Sequence, residues 1–205
     1  MLFRSDAETI EMVASNEFPH RSVAQIQLQP NQATGIEQLD LELLEGKQYI
    51  GRIVIAGSLD SGSVRIGLHW GDGQEQQDSV LLSDLTETFQ TIPFNLQAGG
   101  YSGNGRLSIT GQGAGAIQVA AVSLMPADNV EGFRADTLAL LRELNAPLYR
   151  WPGGNFVSGY EWRDGLGNPD HRPTRRNPAW TGIDTNDVGL HEFITFCRLL
   201  NAEPL

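Results

Sequence analysis

The sequence predicts a multidomain fold of the β plus α/β class, in which an antiparallel β-sandwich precedes an α/β segment. From about residue 10 to residue 125, apolar and polar residues alternate in short runs separated by turn residues, which is typical of a sandwich. From residue 126 the apolar residues recur at helical spacing, and helical runs alternate with short apolar runs. We therefore predict two domains, a β-sandwich over residues 1–125 and an α/β segment over residues 126–205.

Eight short runs are the predicted strands of the first domain. They cover residues 25–29, 38–43, 49–56, 64–70, 79–82, 86–94, 106–110 and 117–124. Turns are expected between them, including Asp60–Gly62 and the glycine-rich Gly111–Gly115. The second of these lies between two strands rather than between a strand and a helix, so we predict a hairpin turn and not a phosphate-binding loop. Trp70 is predicted to be a core residue beside a surface His69, with a glycan-binding groove as the alternative.

The second domain is predicted to run helix, strand, long loop, helix and a beginning strand. The first helix would be capped by Asp128 or Asn129 and stopped by Asn145 and Pro147. Its predicted apolar face consists of Phe133, Thr137, Leu140, Leu141 and Leu144. A strand is expected over residues 146–151, and a second helix over residues 188–200 with Asn186 or Asp187 as its cap. Cys197 lies in that helix and is predicted to be a buried core thiol.

Composition argues against several partners. The chain carries 25 acidic and 14 basic side chains, for a formal net charge of −11. Such a charge repels nucleic acid and anionic membranes, so neither is expected as a partner. One cysteine and four scattered histidines give no familiar zinc spacing, and we expect neither a metal nor a cofactor. No signal peptide is recognisable at the start, which favours a cytoplasmic location.

Residues 150–163 (RWPGGNFVSGYEWR) are the most informative stretch. Arg150 offers a rigid fork of donors and Asn155 offers both donors and an acceptor. Gly153 and Gly154 allow the chain to fold tightly over the end of a strand. Flat aromatic side chains beside planar polar groups suit a sugar ring, whose faces are C–H and whose rim is hydroxyl. The alternative is a structural arginine buried beside a tight turn.

The loop of residues 152–187 is too long for a simple connection and is expected to be functional. It contains a basic cluster, Arg172, Arg175 and Arg176, for which we predict ion pairs within the loop. The predicted acidic partners are Asp164, Asp170 and Asp184, and anion binding is the alternative. We also considered the loop carboxylates of Glu161, Asp164 and Asp170 as catalytic groups. Beside Arg163 and Arg172 they are predicted to stay ionised and structural instead.

The stretch from Ser123 to Pro204 resembles the α-L-arabinofuranosidases of glycoside hydrolase family 51. The residues that carry the resemblance are Leu124–Asn129, Arg150–Tyr160, Trp162–Gly165, Asn177–Trp180, Glu192–Phe193 and Cys197–Arg198. The preceding β-rich part resembles, more weakly, a carbohydrate-binding-like sandwich of jelly-roll, galactose-binding-like type that some members carry.

The resemblance implies that residues 126–205 are the first part of a (β/α)8 TIM barrel. Arg150 and Asn155 match positions that hold the arabinofuranose ring, and Trp180 matches an aromatic wall of the same pocket. The implied reaction removes terminal α-L-arabinofuranosyl units from arabinan, arabinoxylan or their oligosaccharides, with retention, through two glutamates. Both glutamates would lie beyond Leu205, so this chain is expected to be an inactive N-terminal fragment of a larger enzyme that can form a homo-oligomer.

Two further hypotheses stay open from the sequence. In the first, the chain is a carbohydrate-binding module that acts through its sandwich, and the barrel part is a passive remnant. In the second, the truncated barrel cannot close and the chain is only marginally folded, because strand edges and core partners are left exposed.

Overall fold

The computed structural model describes residues 3–5, 9–18, 22–73, 75–177 and 179–205. It divides into two compact units. The first is formed by Met1–Asn16 and Ser22–Ala127, and the second by Glu17–Arg21 and Asp128–Leu205.

The first unit is an antiparallel β structure. Its strands are β1 (Phe3–Ser5), β2 (Ile10–Ala14), β3 (Ser22–Gln27), β4 (Thr34–Leu43), β5 (Gln48–His69), β6 (Gln77–Leu82), β7 (Gln90–Gln97) and β8 (Ser102–Pro126). The alternating pattern did not reveal β1 and β2, and residues 86–89, predicted to begin a strand, precede β7. There the Thr86 hydroxyl donates to the Thr88 carbonyl, a local bond that competes with strand pairing.

Strands β5 and β8 are the two long central strands of this unit. They pair along almost their whole length, from Tyr49 opposite Pro126 to His69 opposite Arg106. At one end of this ladder β7 pairs with β5, while β3 and then β2 extend it beyond β8. At the other end β6 pairs with β5, while β4 and then β1 extend it beyond β8. The two ends thus make two layers, and their apolar residues form one core that includes Ile53, Phe94, Ile66 and Ile109.

The predicted turns at Asp60–Gly62 and Gly111–Gly115 are wrong. Both segments lie inside continuous strands, and Gly62 is paired with Gly113. The φ angles of Gly62, Gly113 and Gly115 are 136°, 139° and 116°, a region that side chains disfavour. Paired glycines let the two strands bend together while their hydrogen bonds continue, so a glycine cluster here marks a bend and not a chain reversal.

This bend can be tested at Gly62. A Cβ on Gly62 would collide with the Gln112 carbonyl oxygen, whereas a Cβ on Gly46, which also has positive φ, would meet nothing within 4 Å. We expect Gly62→Ala to lower the free energy of unfolding by about 3 kcal/mol, because strain and collision add, and Gly46→Ala by about 1 kcal/mol from strain alone. Urea unfolding followed by amide exchange in β5 and β8 measures both. Equal losses for the two variants would refute a constrained bend.

His69, the last residue of β5, and Trp70, which follows it, are both half-buried. The Trp70 indole lies over Gly99 and Gly100, where an added Cβ would come within 2.7 and 2.8 Å of the ring. Trp70 therefore packs against the edge of the core and is not enclosed by it. The His69 Nε2 lies 2.8 Å from the Ser108 hydroxyl. Burial, and then the nearby Arg106 charge, lower the pKa of His69.

The second unit contains two helices and short strands. Its elements are α1 (Ala135–Leu144), β9 (Leu148–Tyr149), 3-10 turns over Gly154–Gly159, Trp162–Gly165 and Pro169–His171, β10 (Arg175–Arg176), β11 (Ile183–Asp184), α2 (Leu190–Leu200) and β12 (Glu203–Pro204). Strands β9 and β12 are parallel. The predicted order of helix, strand, loop, helix and strand is confirmed. Neither α1 nor α2, the helices of the described residues, is long and apolar enough to cross a membrane.

The predicted caps and the predicted face of α1 are wrong. Arg134 occupies the N-cap position, while the Asn129 side chain accepts from the Gly132 N–H in the preceding turn. Leu138 is the buried residue of α1, whereas Leu140 and Leu144 are 67% and 68% exposed. Leucines surround most of this helix, so apolar spacing fits more than one face and does not identify the one that packs.

Helix α2 begins at Leu190, two residues later than predicted. Its N-cap residue is Gly189, and not Asn186 or Asp187 as predicted. The Glu192 carboxylate accepts from the Gly189 N–H at 2.8 Å and so satisfies the start of the helix. Phe193, Cys197 and Leu200 are its buried residues, which confirms the predicted core thiol. Burial raises the pKa of the Cys197 thiol.

Candidate functional site

The RWPGG motif forms a sharp corner directly after β9. The Trp151 N–H still donates to the Leu205 carbonyl at 3.0 Å, so the hydrogen bonds between the two parallel strands reach the residue before Pro152. The Trp151–Pro152 peptide bond is cis. Gly153 and Gly154 have φ angles of 55° and 61°, as the predicted tight turn requires. The chain then enters the 3-10 turn over Gly154–Gly159.

The three predicted site residues are all exposed. Arg150 and Asn155 flank the corner, and their side chains have no hydrogen-bond or ion-pair partner in the part of the chain that the structure describes. The alternative of a buried structural arginine is therefore wrong for Arg150. Trp180 is 67% exposed and follows a turn in which the Asn177 Oδ1 accepts from the Ala179 and Trp180 N–H groups. Pro178 of the same motif lies outside the described residues.

A row of aromatic rings runs from the loop to α2. The rings of Phe156 and Tyr160 are 5.1 Å apart, and Tyr160 meets Trp151 edge-on at 5.0 Å. Trp151 in turn stacks on Phe193 at 5.6 Å. Such contacts stabilise by about 0.5–1.5 kcal/mol each beyond the area they bury. Through these ring contacts the corner motif packs against both the loop and helix α2.

Beside this row the loop forms a cavity of about 300 Å³ that is open to solvent on one side. Its lining residues are aromatic, acidic, basic and amide, namely Phe156, Gly159, Tyr160, Glu161, Asp164, Arg175, Arg176, Asn177, Asp184 and Asn186. None of Arg150, Asn155 and Trp180 lines it. Sequence reasoning missed the cavity because β10 pairs with β11, and Arg175 of β10 pairs with Asp164, so that two distant parts of the loop meet.

Most charges around the cavity are paired. The Arg175 guanidinium donates to both oxygens of Asp164, at 2.7 and 3.2 Å, which confirms an ion pair within the loop. The Glu161 carboxylate accepts from Arg163 at 3.1 Å. Arg176 is exposed and has no side-chain partner among the described residues. Of the two arginines that line the cavity, Arg175 and Arg176, it is therefore Arg176 that lacks a side-chain partner among the described residues.

Arg172 is the buried centre of the loop, with 2% of its surface exposed. It donates to the Glu192 carboxylate at 2.8 and 3.0 Å. It also donates to the carbonyls of Gly167, Asn186 and Asp187, at distances from 2.8 to 3.2 Å. The predicted pairing of Arg172 within the loop is wrong, because its carboxylate partner lies on α2, 20 residues away, and no local spacing indicated it.

Tyr160 has a buried hydroxyl with no hydrogen-bond partner in the described part of the chain. Burial, followed by the nearby Asp184 charge, raises the pKa of Tyr160. The hydroxyl is therefore a neutral donor at physiological pH. The described residues hold no group of three or more histidine, cysteine or carboxylate side chains that could bind a metal.

The second unit is a parallel α/β segment with a long polar and aromatic loop. Residues 140–205 match the family model described as "Alpha-L-arabinofuranosidase 1 domain". This match contains the RWPGG motif, and it confirms the resemblance to the α-L-arabinofuranosidases over this segment.

Named relatives agree with the family match. The chain is 51% identical over 73 residues to the intracellular exo-alpha-(1->5)-L-arabinofuranosidase of Acetivibrio thermocellus, covering 36% of this chain and 14% of that protein. It is 49% identical over 79 residues to the probable alpha-L-arabinofuranosidase C of Aspergillus clavatus, covering 38% and 16%. The chain thus spans about a sixth of the length of the curated relatives it matches.

Among solved structures, the thermostable GH51 alpha-L-arabinofuranosidase from Thermotoga petrophila is 48% identical, with a TM-score of 0.38. That alignment covers 39% of this chain and 17% of that one.

Proposed function

We propose that the second unit supplies part of the sugar pocket of an α-L-arabinofuranosidase. Such an enzyme removes terminal non-reducing α-L-arabinofuranosyl residues from hemicelluloses such as arabinan and arabinoxylan, with retention of configuration. The single observation that carries the proposal is the family match over residues 140–205. A binding module with a passive barrel remnant is not favoured, because the match falls on the α/β unit.

Within this pocket we assign the corner motif to sugar binding. Arg150 and Asn155 would hold the hydroxyl groups of the arabinofuranose ring, and Trp180 would shield one face of the pocket. The proposal is supported by the exposure of all three side chains and by the lack of described protein partners for Arg150 and Asn155. Uncommitted planar polar groups retain their donors and acceptors for a ligand.

The finer fold belongs to the same proposal. We infer that residues 126–205 form the first part of a (β/α)8 barrel, and the parallel pairing of β9 with β12 supports this. We also infer that residues 1–125 form a separate sandwich of jelly-roll, galactose-binding-like type. Three relatives are named intracellular, and we extend that location to this protein. Homo-oligomerisation of the whole enzyme is part of the proposal as well.

The catalytic pair is proposed to lie outside this chain. Retaining hydrolysis needs two carboxyl groups about 5 Å apart, one of them with a raised pKa. In the loop, Glu161 pairs with Arg163 and Asp164 pairs with Arg175. These groups therefore suit a structural role.

We expect the purified 205-residue chain to release no nitrophenol from 4-nitrophenyl α-L-arabinofuranoside above the buffer rate. The substrate would meet sugar-binding groups without an acid and a nucleophile. The complete Acetivibrio thermocellus relative, assayed at the same concentration, serves as the positive control. Saturable turnover that co-purifies with the chain would overturn the placement of the catalytic carboxylates.

A further inference from the structure

The connection between β2 and β3 contributes a buried aromatic residue to the second unit. Phe18 follows the polar run Ser15–Glu17, yet it is only 2% exposed. It belongs to the second unit with the rest of Glu17–Arg21, although β2 and β3 on either side of it belong to the first. Connecting segments normally run exposed over the surface, so a buried aromatic ring within one marks a fixed attachment.

Phe18 packs on the long loop. Its ring is nearly parallel to the imidazole of His171, with the ring centroids 4.7 Å apart and the planes 20° apart. His171 ends the 3-10 turn over Pro169–His171, and its N–H donates to the Asn168 carbonyl at 3.0 Å. The next residue is Arg172, the buried centre of the loop. Phe18 therefore lies against the turn from which this arginine enters the loop.

The contacts of Arg172 continue from this turn to the cavity. Its guanidinium donates to the Asn186 carbonyl at 2.9 Å, and the Asn186 carboxamide donates to the Pro173 carbonyl at 2.7 Å. Asn186 lines the cavity, whereas Phe18 does not. A turn that moves would carry the backbone of Arg172 and Pro173 with it, and these are the groups that hold Asn186 in place.

We propose that Phe18 is a positioning residue for the loop of residues 152–187. By packing on His171 it fixes the turn before Arg172 and, through Arg172, the cavity wall at Asn186. The proposal concerns the order of the loop and holds whatever ligand the loop binds. A chain that starts at residue 128 lacks Phe18, so the β-rich part of the protein is needed for an ordered candidate site and is not a detachable module.

The test is amide hydrogen exchange of the ¹⁵N-labelled 205-residue chain, followed residue by residue without ligand. The Arg172 N–H donates to the Pro169 carbonyl and the Asn186 N–H to the Asp184 carboxylate, so both amides report the closed loop. Phe18→Leu keeps an apolar side chain but removes the flat ring. We expect it to speed exchange at Arg172 and Asn186 about tenfold, because lost stacking and lost packing volume favour local opening.

Exchange elsewhere distinguishes a local effect from a general one. The amides of Ile66 in β5 and Cys197 in α2 should stay within about twofold of their original rates in Phe18→Leu. Phe133→Leu is the matched control, since the Phe133 ring packs on Phe196 of the same unit at 5.4 Å but lies outside the loop. This control should leave the loop amides unchanged.

Variants of His171 test the route of the effect. His171→Ala should also speed exchange at Arg172 and Asn186, whereas His171→Phe retains a flat ring and should restore slow exchange. The double variant Phe18→Leu/His171→Ala should exchange no faster than the faster single variant, because both changes remove the same contact. Unchanged loop exchange in Phe18→Leu, an equal rise at Cys197 or Ile66, or additive effects in the double variant would each overturn the proposal.

Discussion

Loss of the Asn155 carboxamide is expected to lower kcat/KM about a hundredfold in an active enzyme that carries this segment. The carboxamide is exposed at the corner after β9, has no protein partner among the described residues, and is proposed to fix the orientation of the sugar ring. A ring displaced by about 1 Å from its reactive position costs roughly a hundredfold in rate. That factor corresponds to about 2.7 kcal/mol of transition-state stabilisation.

The enzyme for this measurement is a chimera. The matched 73-residue segment of the Acetivibrio thermocellus relative is replaced by the corresponding residues of this chain, which are 51% identical. Steady-state kinetics with 4-nitrophenyl α-L-arabinofuranoside then compare the chimera, its Asn155→Ala variant and an Arg198→Ala surface control. We expect the control to keep the activity of the chimera. An Asn155→Ala variant with unchanged kcat and KM would remove Asn155 from the sugar pocket.

Much of the fold follows from local sequence patterns. Alternation predicted the antiparallel unit because strands such as β7 bury one face, with Phe94 and Leu96 buried and Asn95 and Gln97 exposed. The glycines at positions 62 and 113 misled the prediction, since a bend inside a strand and a turn between strands use the same residue. The strand before Pro152 was predictable because a short apolar run directly follows a helix, as in a parallel α/β unit.

The candidate site was predictable only in part. The corner motif is contiguous in sequence, so its residue types alone indicated sugar binding. The cavity is assembled from segments on both sides of the loop, and the fold of the loop depends on Arg172 reaching Glu192 on α2. Contacts between residues far apart in the chain leave no periodic signal, and the cavity therefore became visible only in three dimensions.

Replacing Arg172 with methionine is expected to destabilise the second unit by about 3–5 kcal/mol. The guanidinium is buried, and its removal leaves the carbonyls of Gly167 and Asn186 without this donor and the partly exposed Glu192 carboxylate with the Gly189 N–H. Removing one partner of a buried ion pair typically costs that much, because the charge left behind loses its compensation. Amide exchange in α2 under increasing urea measures the loss for this unit by itself, since a chain of two units has no single unfolding free energy.

Two comparisons isolate the reason for that loss. Arg163→Met breaks the pair with Glu161, in which both side chains are exposed, to 68% and 50%, and we expect a loss below about 1 kcal/mol. Similar losses for Arg172→Met and Arg163→Met would show that burial of the guanidinium does not hold the loop together.

The second comparison is the pH dependence of the stability. Burial opposes ionisation of Glu192, but hydrogen bonds from Arg172 and from the Gly189 N–H outweigh it and lower the pKa of that carboxyl. The pair therefore stabilises the unit fully above the pKa of an unfolded glutamate, about 4.3, and the stabilisation is lost as the pH falls from there through the folded pKa. Arg172→Met should abolish this contribution.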